Sequence, residues 1–275
     1  MLLTSIMNVI TLLDGDLMTK RVVIITVLVL IVIIGIAIYA WSLYPQQVGK
    51  RVLRVGTSPD FPPFEYIDEK TGEVIGIDID LIKALAKKLG CEVQIVQMDF
   101  DGLIPALLNK QIDVIASGMT ITEERAQKVA FTIPYWRADQ AILVRKDSPF
   151  APRDLDDLVG KTVAVQSGTT AQFLLEDYIN KTGNKINIKA YPSYVLAVQD
   201  LENGNVDAVL VDSPVASMFE KARNVKITGI VVTNENYGLA VRKEDRELLD
   251  KLNNALKEFL NSTEWQAILQ KYLGG

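Results

Sequence analysis

The sequence predicts an α/β protein built as two similar lobes behind a membrane-crossing segment. Three observations carry that prediction. Val22–Leu43 runs without a charge, short apolar runs alternate with helix-period segments after residue 50, and the alternation then occurs a second time. With 275 residues and 49% hydrophobic content, the chain is long and apolar enough for two cores plus a leader.

The uncharged run, VVIITVLVLIVIIGIAIYAWSL, is 22 residues long, enough to cross a bilayer as a helix. A cleavable signal needs only about 7–15 apolar residues, so the reading is an uncleaved anchor; Ala40-Trp41-Ser42 would also suit a cleavage site. Lys20 and Arg21 precede the run and uncharged Tyr44-Pro45-Gln46-Gln47 follows it, which predicts a cytoplasmic N-terminus and an extracytoplasmic remainder. Tyr39, Trp41 and Tyr44 suit the aromatic belt of the outer face. Residues 1–21 are then a cytoplasmic leader, 22–43 the anchor or signal segment and 44–50 a linker, with Met18 an alternative start. No cysteine stands at the end of the run to take a lipid.

Beyond the linker, Arg51–Gly56 reads as a strand and Asp78–Leu89 as a helix with Ile79, Ile82, Leu85, Ala86 and Leu89 on one face. Glu92–Gln97 follows as a strand, Gly102–Asn109 as a helix and Ile112–Ala116 as a buried strand, an order that implies crossover connections and a largely parallel sheet. Thr162–Gln166, Thr170–Asn180, Ile188–Tyr191, Ser193–Asn203 and Asp207–Val211 repeat it. At an offset of 94, Leu107, Asn109, Ile112, Asp113 and Ile115 fall on Leu201, Asn203, Val206, Asp207 and Val209, and Gly118 falls on Asp212. Both of those last positions lie just past the carboxyl end of a strand, where open α/β sheets bind ligands. Arg246–Leu260 and Thr263–Tyr272 read as amphipathic helices, the second restarted by Ser262, an ending that suits a binding module.

Composition removes several classes of function. A net charge of -5 and a pI near 5.0 leave no basic face for nucleic acid. There is no histidine, so the usual general base and the commonest metal ligand are missing. Cys91 is the only cysteine, which rules out an intrachain disulfide and a cysteine cluster for zinc or iron–sulfur, and it reads as a half-buried filler. The expectation is a non-enzyme with no cofactor and no metal.

What chemistry remains sits at strand ends. Ser117-Gly118-Met119-Thr120-Ile121-Thr122-Glu123-Glu124-Arg125 leaves a buried strand, exposes small polar groups and starts a helix at Thr122, and Arg125 can fork onto a carboxylate. Taken alone, the string also reads as a helix cap with a solvated arginine. Gln166-Ser167-Gly168-Thr169-Thr170 repeats the design, without the lysine of a nucleotide-binding loop. Asp212 could pair an ammonium or cap the next helix. Phe61 and Phe100 could sandwich a side chain or pack as core. Together these residues make a reader of zwitterions: arginine and hydroxyls for a carboxylate, aspartate for an ammonium, aromatics for the side chain.

Several runs carry a resemblance: Val55-Gly56-Thr57, Phe61-Pro62-Pro63-Phe64-Glu65, Gly76-Ile77-Asp78-Ile79-Asp80-Leu81, Phe100-Asp101-Gly102-Leu103-Ile104-Pro105, Ser117–Arg125, Phe131…Pro134-Tyr135, Gly168-Thr169-Thr170 and Tyr237-Gly238. In order, over nearly all of residues 51–275, they resemble the polar amino-acid-binding proteins of ABC importers, the extracellular solute-binding proteins of family 3. The resemblance implies a hinged periplasmic-binding-protein fold of type II. Residues 51–138 and 239–275 would form one lobe and 139–238 the other, with crossings near 135–139 and 236–240 and the ligand between them. It also implies ABC permease subunits as partners.

Carried over position by position, Arg125, Thr120 and Thr170 would hold the α-carboxylate of a free amino acid, Asp212 and the Gly118 carbonyl its ammonium, with Ser117 and Thr169 beside them. Phe61 and Phe100 would flank the side chain. Glutamine-binding members place an aspartate where Ser58 stands and a lysine where Gln166 stands, so this chain departs from them. It is more similar to arginine-binding members, which share Ser58, the FPPFE run and Val165-Gln166…Gly168-Thr169-Thr170. Glu65, Ser58 and Gln166, with Asp60 beyond them, would then read a guanidinium; arginine is expected ahead of lysine or glutamine. The same fold also hosts periplasmic dehydratases, peptidoglycan lyases and sensor modules.

Overall fold

The computed structural model describes residues 17–43 and 51–274, so the expected leader before residue 17 and the linker at 44–50 lie outside the described residues. The chain divides into two compact units, one up to Gly49 and one from Lys50.

The first unit contains helix α1, Leu17–Leu43. Its Arg21–Ala40 span has a mean hydropathy of 3.3, and none of its residues is buried within the protein. A helix apolar on every side cannot bury itself against one core face, and 20 residues at about 1.5 Å each match a bilayer's hydrocarbon. Thr26, a polar side chain in the run, donates its hydroxyl proton to the Val22 carbonyl at 2.9 Å.

The second unit opens with β1 (Val52–Thr57), β2 (Asp60–Phe61), β3 (Glu65–Ile67) and β4 (Val74–Ile75), then α2 (Ile77–Lys88) and β5 (Glu92–Gln97). After a short 3-10 turn come α3 (Leu103–Leu108), β6 (Val114–Ile115), α4 (Glu123–Ala126) and β7 (Ala130–Phe131). The chain continues through β8 (Trp136–Arg145), β9 (Thr162–Gln166), α5 (Thr170–Thr182), β10 (Asn187–Tyr191), α6 (Tyr194–Glu202) and β11 (Ala208–Asp212). It closes with α7 (Ser213–Ala222), β12 (Val225–Tyr237), β13 (Ala240–Val241), α8 (Arg246–Phe259) and α9 (Thr263–Leu273).

These strands form two five-stranded sheets, β5-β1-β6-β13-β7 and β10-β9-β11-β8-β12, and a small antiparallel sheet β2-β3-β4. In each large sheet four strands run one way and one runs against them, β13 in the first and β8 in the second. The opposing strand is in each case the one that enters from the other sheet: the chain leaves at β7 to become β8, and leaves at β12 to become β13. Trp136 pairs with Tyr237 and Arg137 with Asn236, so the two crossings lie side by side in one ladder. The β1–α2–β5 and β9–α5–β10 units bury Val55, Leu81, Leu85 and Val163, Val165, Leu175 between helix and sheet, as their apolar spacing predicts.

Candidate ligand-binding site

The carboxyl ends of β1, β6, β9 and β11 meet at one narrow chamber. From the first sheet's side it is lined by Ser58, Asp60, Phe61, Glu65, Phe100, Gly118, Thr120 and Arg125, and from the second by Gln166, Thr169, Thr170 and Asp212. Residues far apart in sequence, expected at one site, are thus brought together. Ser117 alone among them stands behind the wall: its hydroxyl donates to Glu65 Oε1 at 2.9 Å and accepts the Ser58 N–H at 2.9 Å. Asp60 joins the wall outright.

One end of the chamber is cationic. Thr122 caps α4 by accepting the Arg125 N–H, which sets the helix so that the Arg125 side chain turns back into the protein, 6% exposed. Its Nη1 donates to the Thr120 carbonyl at 2.9 Å and its Nη2 to the Gly168 carbonyl at 3.0 Å, across to the second sheet. Cζ sits 5.2 Å from the Phe100 ring centroid, so Phe100 lies against Arg125. Burial lowers the Arg125 pKa from its ordinary value, and the charges of Glu235 and Asp212 oppose that shift. Thr169 caps α5, its hydroxyl accepting from Gln172 N and donating to the Gln166 carbonyl at 2.7 Å. The Thr120 and Thr170 hydroxyls each donate to Glu235 Oε2 at 2.7 Å.

The rest of the chamber is anionic. Asp212, 4% exposed, accepts from Gln140 Nε2 at 2.8 Å and from the Tyr237 hydroxyl. Burial, and then the charge of Glu235, push its pKa up to about 7. Asp60 is pushed up to about 6 by burial, held back by bonds from Tyr194 N, Ser58 and Gln166. Burial lifts Glu65 well above the usual carboxylate range, with Asp78 adding to it. Glu65 Oε2 is buried and has no hydrogen-bond partner. Gln166 Nε2 spends its protons on Asp60 Oδ2 at 2.9 Å and the Pro192 carbonyl at 3.0 Å, so only its carbonyl oxygen is left for a ligand cation.

Two glycines permit this closeness. A Cβ on Gly118, at φ +47°, would stand 2.6 Å from the Phe61 ring, and one on Gly168, at φ +75°, would stand 2.9 Å from the Asp101 Cβ. Among the described residues no cluster of histidine, cysteine, aspartate or glutamate is placed to hold a metal ion.

Sequence reasoning missed Glu235, Gln140 and Tyr237 as site residues. Gln140, fully buried, had a visible signal: a lone amide inside the apolar strand DQAILV. Glu235 had none, because it sits in a polar stretch whose register slips.

Two hinged sheets enclosing a polar, charge-lined chamber define a solute-binding protein. The chain belongs to the bacterial extracellular solute-binding proteins, family 3, whose model matches residues 53–275. It is 38% identical to the arginine-binding periplasmic protein of Mannheimia haemolytica over 223 residues, 79% of this chain and 89% of that one. It is 50% identical to a truncated, arginine-bound ArgBP from T. maritima, at a TM-score of 0.71 over 75% of this chain and 95% of that one. An ancestral arginine-binding protein, solved with arginine and with glutamine, is 44% identical, with TM-scores of 0.77 and 0.76, covering 82% of this chain and 99% of that one.

Proposed function

We propose that this chain is the receptor of an ABC amino-acid importer and that it encloses free L-arginine ahead of other polar amino acids. The observation that carries the reading is a charge count at the chamber wall. Arg125 faces Asp60, Glu65 and Asp212. An amino-acid backbone brings one carboxylate for Arg125 and one ammonium for Asp212, which leaves Asp60 and Glu65 facing the side chain. Burial opposes the ionisation of both, so a cation is the ligand group that would favour their charged forms, and the unpartnered Glu65 Oε2 has a free acceptor to offer it.

In this reading Arg125, Thr120 and Thr170 take the α-carboxylate, and Asp212 with the Gly118 carbonyl takes the ammonium. Phe61 and Phe100 flank the side chain, and Glu65, Asp60, Ser58 and the Gln166 carbonyl read the guanidinium. The lobes are 51–138 with 239–275, and 139–238. Residues 22–43 anchor the chain with its N-terminus in the cytoplasm, so that the chamber works outside the membrane and delivers to permease subunits. The arginine-binding relatives support the ligand, and the ancestral protein's glutamine complex supports glutamine as the second reading.

Calorimetry of the full chain in detergent, titrated with arginine, lysine, glutamine and histidine, tests this. Arginine is expected to bind most tightly. Glu65→Gln should weaken arginine by ~1.5–3 kcal/mol, the worth of a charge-assisted bond, while leaving glutamine nearly unchanged. Preference for glutamine in the parent protein would overturn the ligand assignment.

A further inference from the structure

We propose that Glu235 sets the affinity of this site by competing with the amino acid's α-carboxylate for the hydroxyls of Thr120 and Thr170. The inference rests on the amino-acid-binding reading above and adds a residue to it.

Glu235 lies near the end of β12, just before the chain crosses back. The β8–β12 register slips there: Val231 pairs with Gln140 and Glu235 with Ala138, so residues 232–234 stand opposite Asp139 alone. Asp139 Oδ1 holds this bulge by accepting the N–H groups of Thr233 at 2.9 Å and Asn234 at 2.8 Å, with Asn234 at φ 55°. Arg137 donates to the Asn234 side chain from the same strand. The bulge sets the phase of the strand's last residues and delivers the Glu235 carboxylate to the cationic end of the chamber. Oε2 accepts from Thr120 Oγ1 and Thr170 Oγ1, each at 2.7 Å, and Oε1 from Gln140 Nε2 at 2.9 Å.

A threonine hydroxyl owns one proton. While Thr120 and Thr170 give theirs to Glu235, neither has one for a second carboxylate. The ligand's carboxylate can take both hydroxyls only when Glu235 releases them, and it would approach the same Arg125 charge that Glu235 already feels. Glu235 is thus an internal counterpart of the ligand's carboxylate, with the same donors and the same cation. Because Thr120 follows β6 of the first sheet and Thr170 opens α5 over the second, its one oxygen also ties the two sheets together.

Glu235 also lies close enough to Asp212 to raise its pKa, which suits an opposite role, that of helping to hold the ligand's ammonium. The two roles predict opposite signs. Calorimetry of the full chain in detergent with L-arginine decides: Glu235→Ala should bind about tenfold tighter than the parent protein. Glu235→Gln, which keeps an acceptor without the charge, should tighten binding by less. Unchanged or weaker binding by both variants overturns the proposal.

A second measurement needs no ligand. With label pairs at exposed Lys87 and Lys181 in a Cys91→Ser background, Glu235→Ala should lengthen the label distance in protein without added amino acid. If the parent protein binds no amino acid, the functional reading falls and this distance decides by itself: no lengthening means that Glu235 does not tie the sheets.

Discussion

Three strands at one edge of each large sheet, β5-β1-β6 and β10-β9-β11, stand in the same order, and the match extends to single side chains. Asp113 exchanges bonds with β1, its N–H donating to the Arg54 carbonyl at 2.8 Å and its Oδ2 accepting the Arg54 N–H at 3.1 Å. Asp207 does the same with β9, its N–H donating to the Thr162 carbonyl at 2.9 Å and its Oδ2 accepting the Thr162 N–H at 2.8 Å. At the opposite, cleft-facing ends the sheets part company. The first presents a cation, Arg125, and the second an anion, Asp212, at the position that matches Gly118. At this matched pair of ends a repeated scaffold carries opposite charges, and in the proposed binding mode these take the two ends of the ligand's backbone, while Asp60 and Glu65 on the first sheet's side face its side chain.

The sharpest way to break that comparison is to remove one charge at a time. Arg125→Ala and Asp212→Ala should each weaken amino-acid binding by ~2–5 kcal/mol, because each leaves one buried ligand charge unpaired. The losses should be of similar size and should fall on every amino acid, since in the proposed binding mode both groups read the backbone. If either variant binds like the parent protein in calorimetry, its sheet does not contribute that charge.

The second test addresses the matched aspartates, where the sheets differ in surroundings. Asp113 also takes Arg54 Nη2 at 2.8 Å and the buried Arg242 Nη2 at 3.2 Å, whereas Asp207 is exposed. Burial tends to raise the Asp113 pKa, but the bonds from Arg54 and Arg242 outweigh it and hold it at about 2. Breaking a fully buried pair costs ~3–5 kcal/mol; Asp113 keeps some exposure, so Asp113→Ala should cost ~2–3 kcal/mol of folding stability. Asp207→Ala, which loses a bond near water, should cost about 1 kcal/mol. Denaturant melts giving equal losses would mean that the guanidinium cluster adds nothing.

How much of this was legible in the sequence depends on the same division. The matched strands and their helices were readable because each is an apolar run or a 3.6-period stripe, and the Asp113/Asp207 match appeared at an offset of 94. The crossing strands β8 and β12 were not read as strands. β12 is broken by slips after Ile227 and after Val231, so the alternation that marks a half-buried strand never persists across VKITGIVVTNENY. Their positions came only from resemblance. For the same reason Glu235 stayed hidden: its reach depends on a bulge that no local pattern announces. Asp60 was half legible, since its place beside the FPPFE run was visible but its bonds to Tyr194 N and Gln166 bring together residues over a hundred positions apart.

A pH dependence also distinguishes the cleft from the back of the sheets. Asp60 at about 6 and Asp212 at about 7 are raised by burial, so between pH about 4 and 7 these two groups hold more protons in the folded protein than in the unfolded chain. Their contribution to stability is therefore full below about pH 4 and is lost as pH rises through 7. Asp113 runs the other way: its contribution is present above about pH 4 and is lost as pH falls through about 2. Arginine reverses the cleft's preference, because its cations favour the ionised carboxylates. Binding near pH 6 should release protons, and affinity should improve from pH 5 to 8 by at most about tenfold per pH unit for each proton released. Calorimetry at pH 6 in two buffers of different ionisation enthalpy reads the proton count directly. The melting-temperature gain from added arginine should also be larger at pH 8 than at pH 5. A zero proton count would mean that Asp60, Glu65 and Asp212 are already ionised before arginine arrives, and that the chamber's carboxylates are less isolated from water than their burial implies.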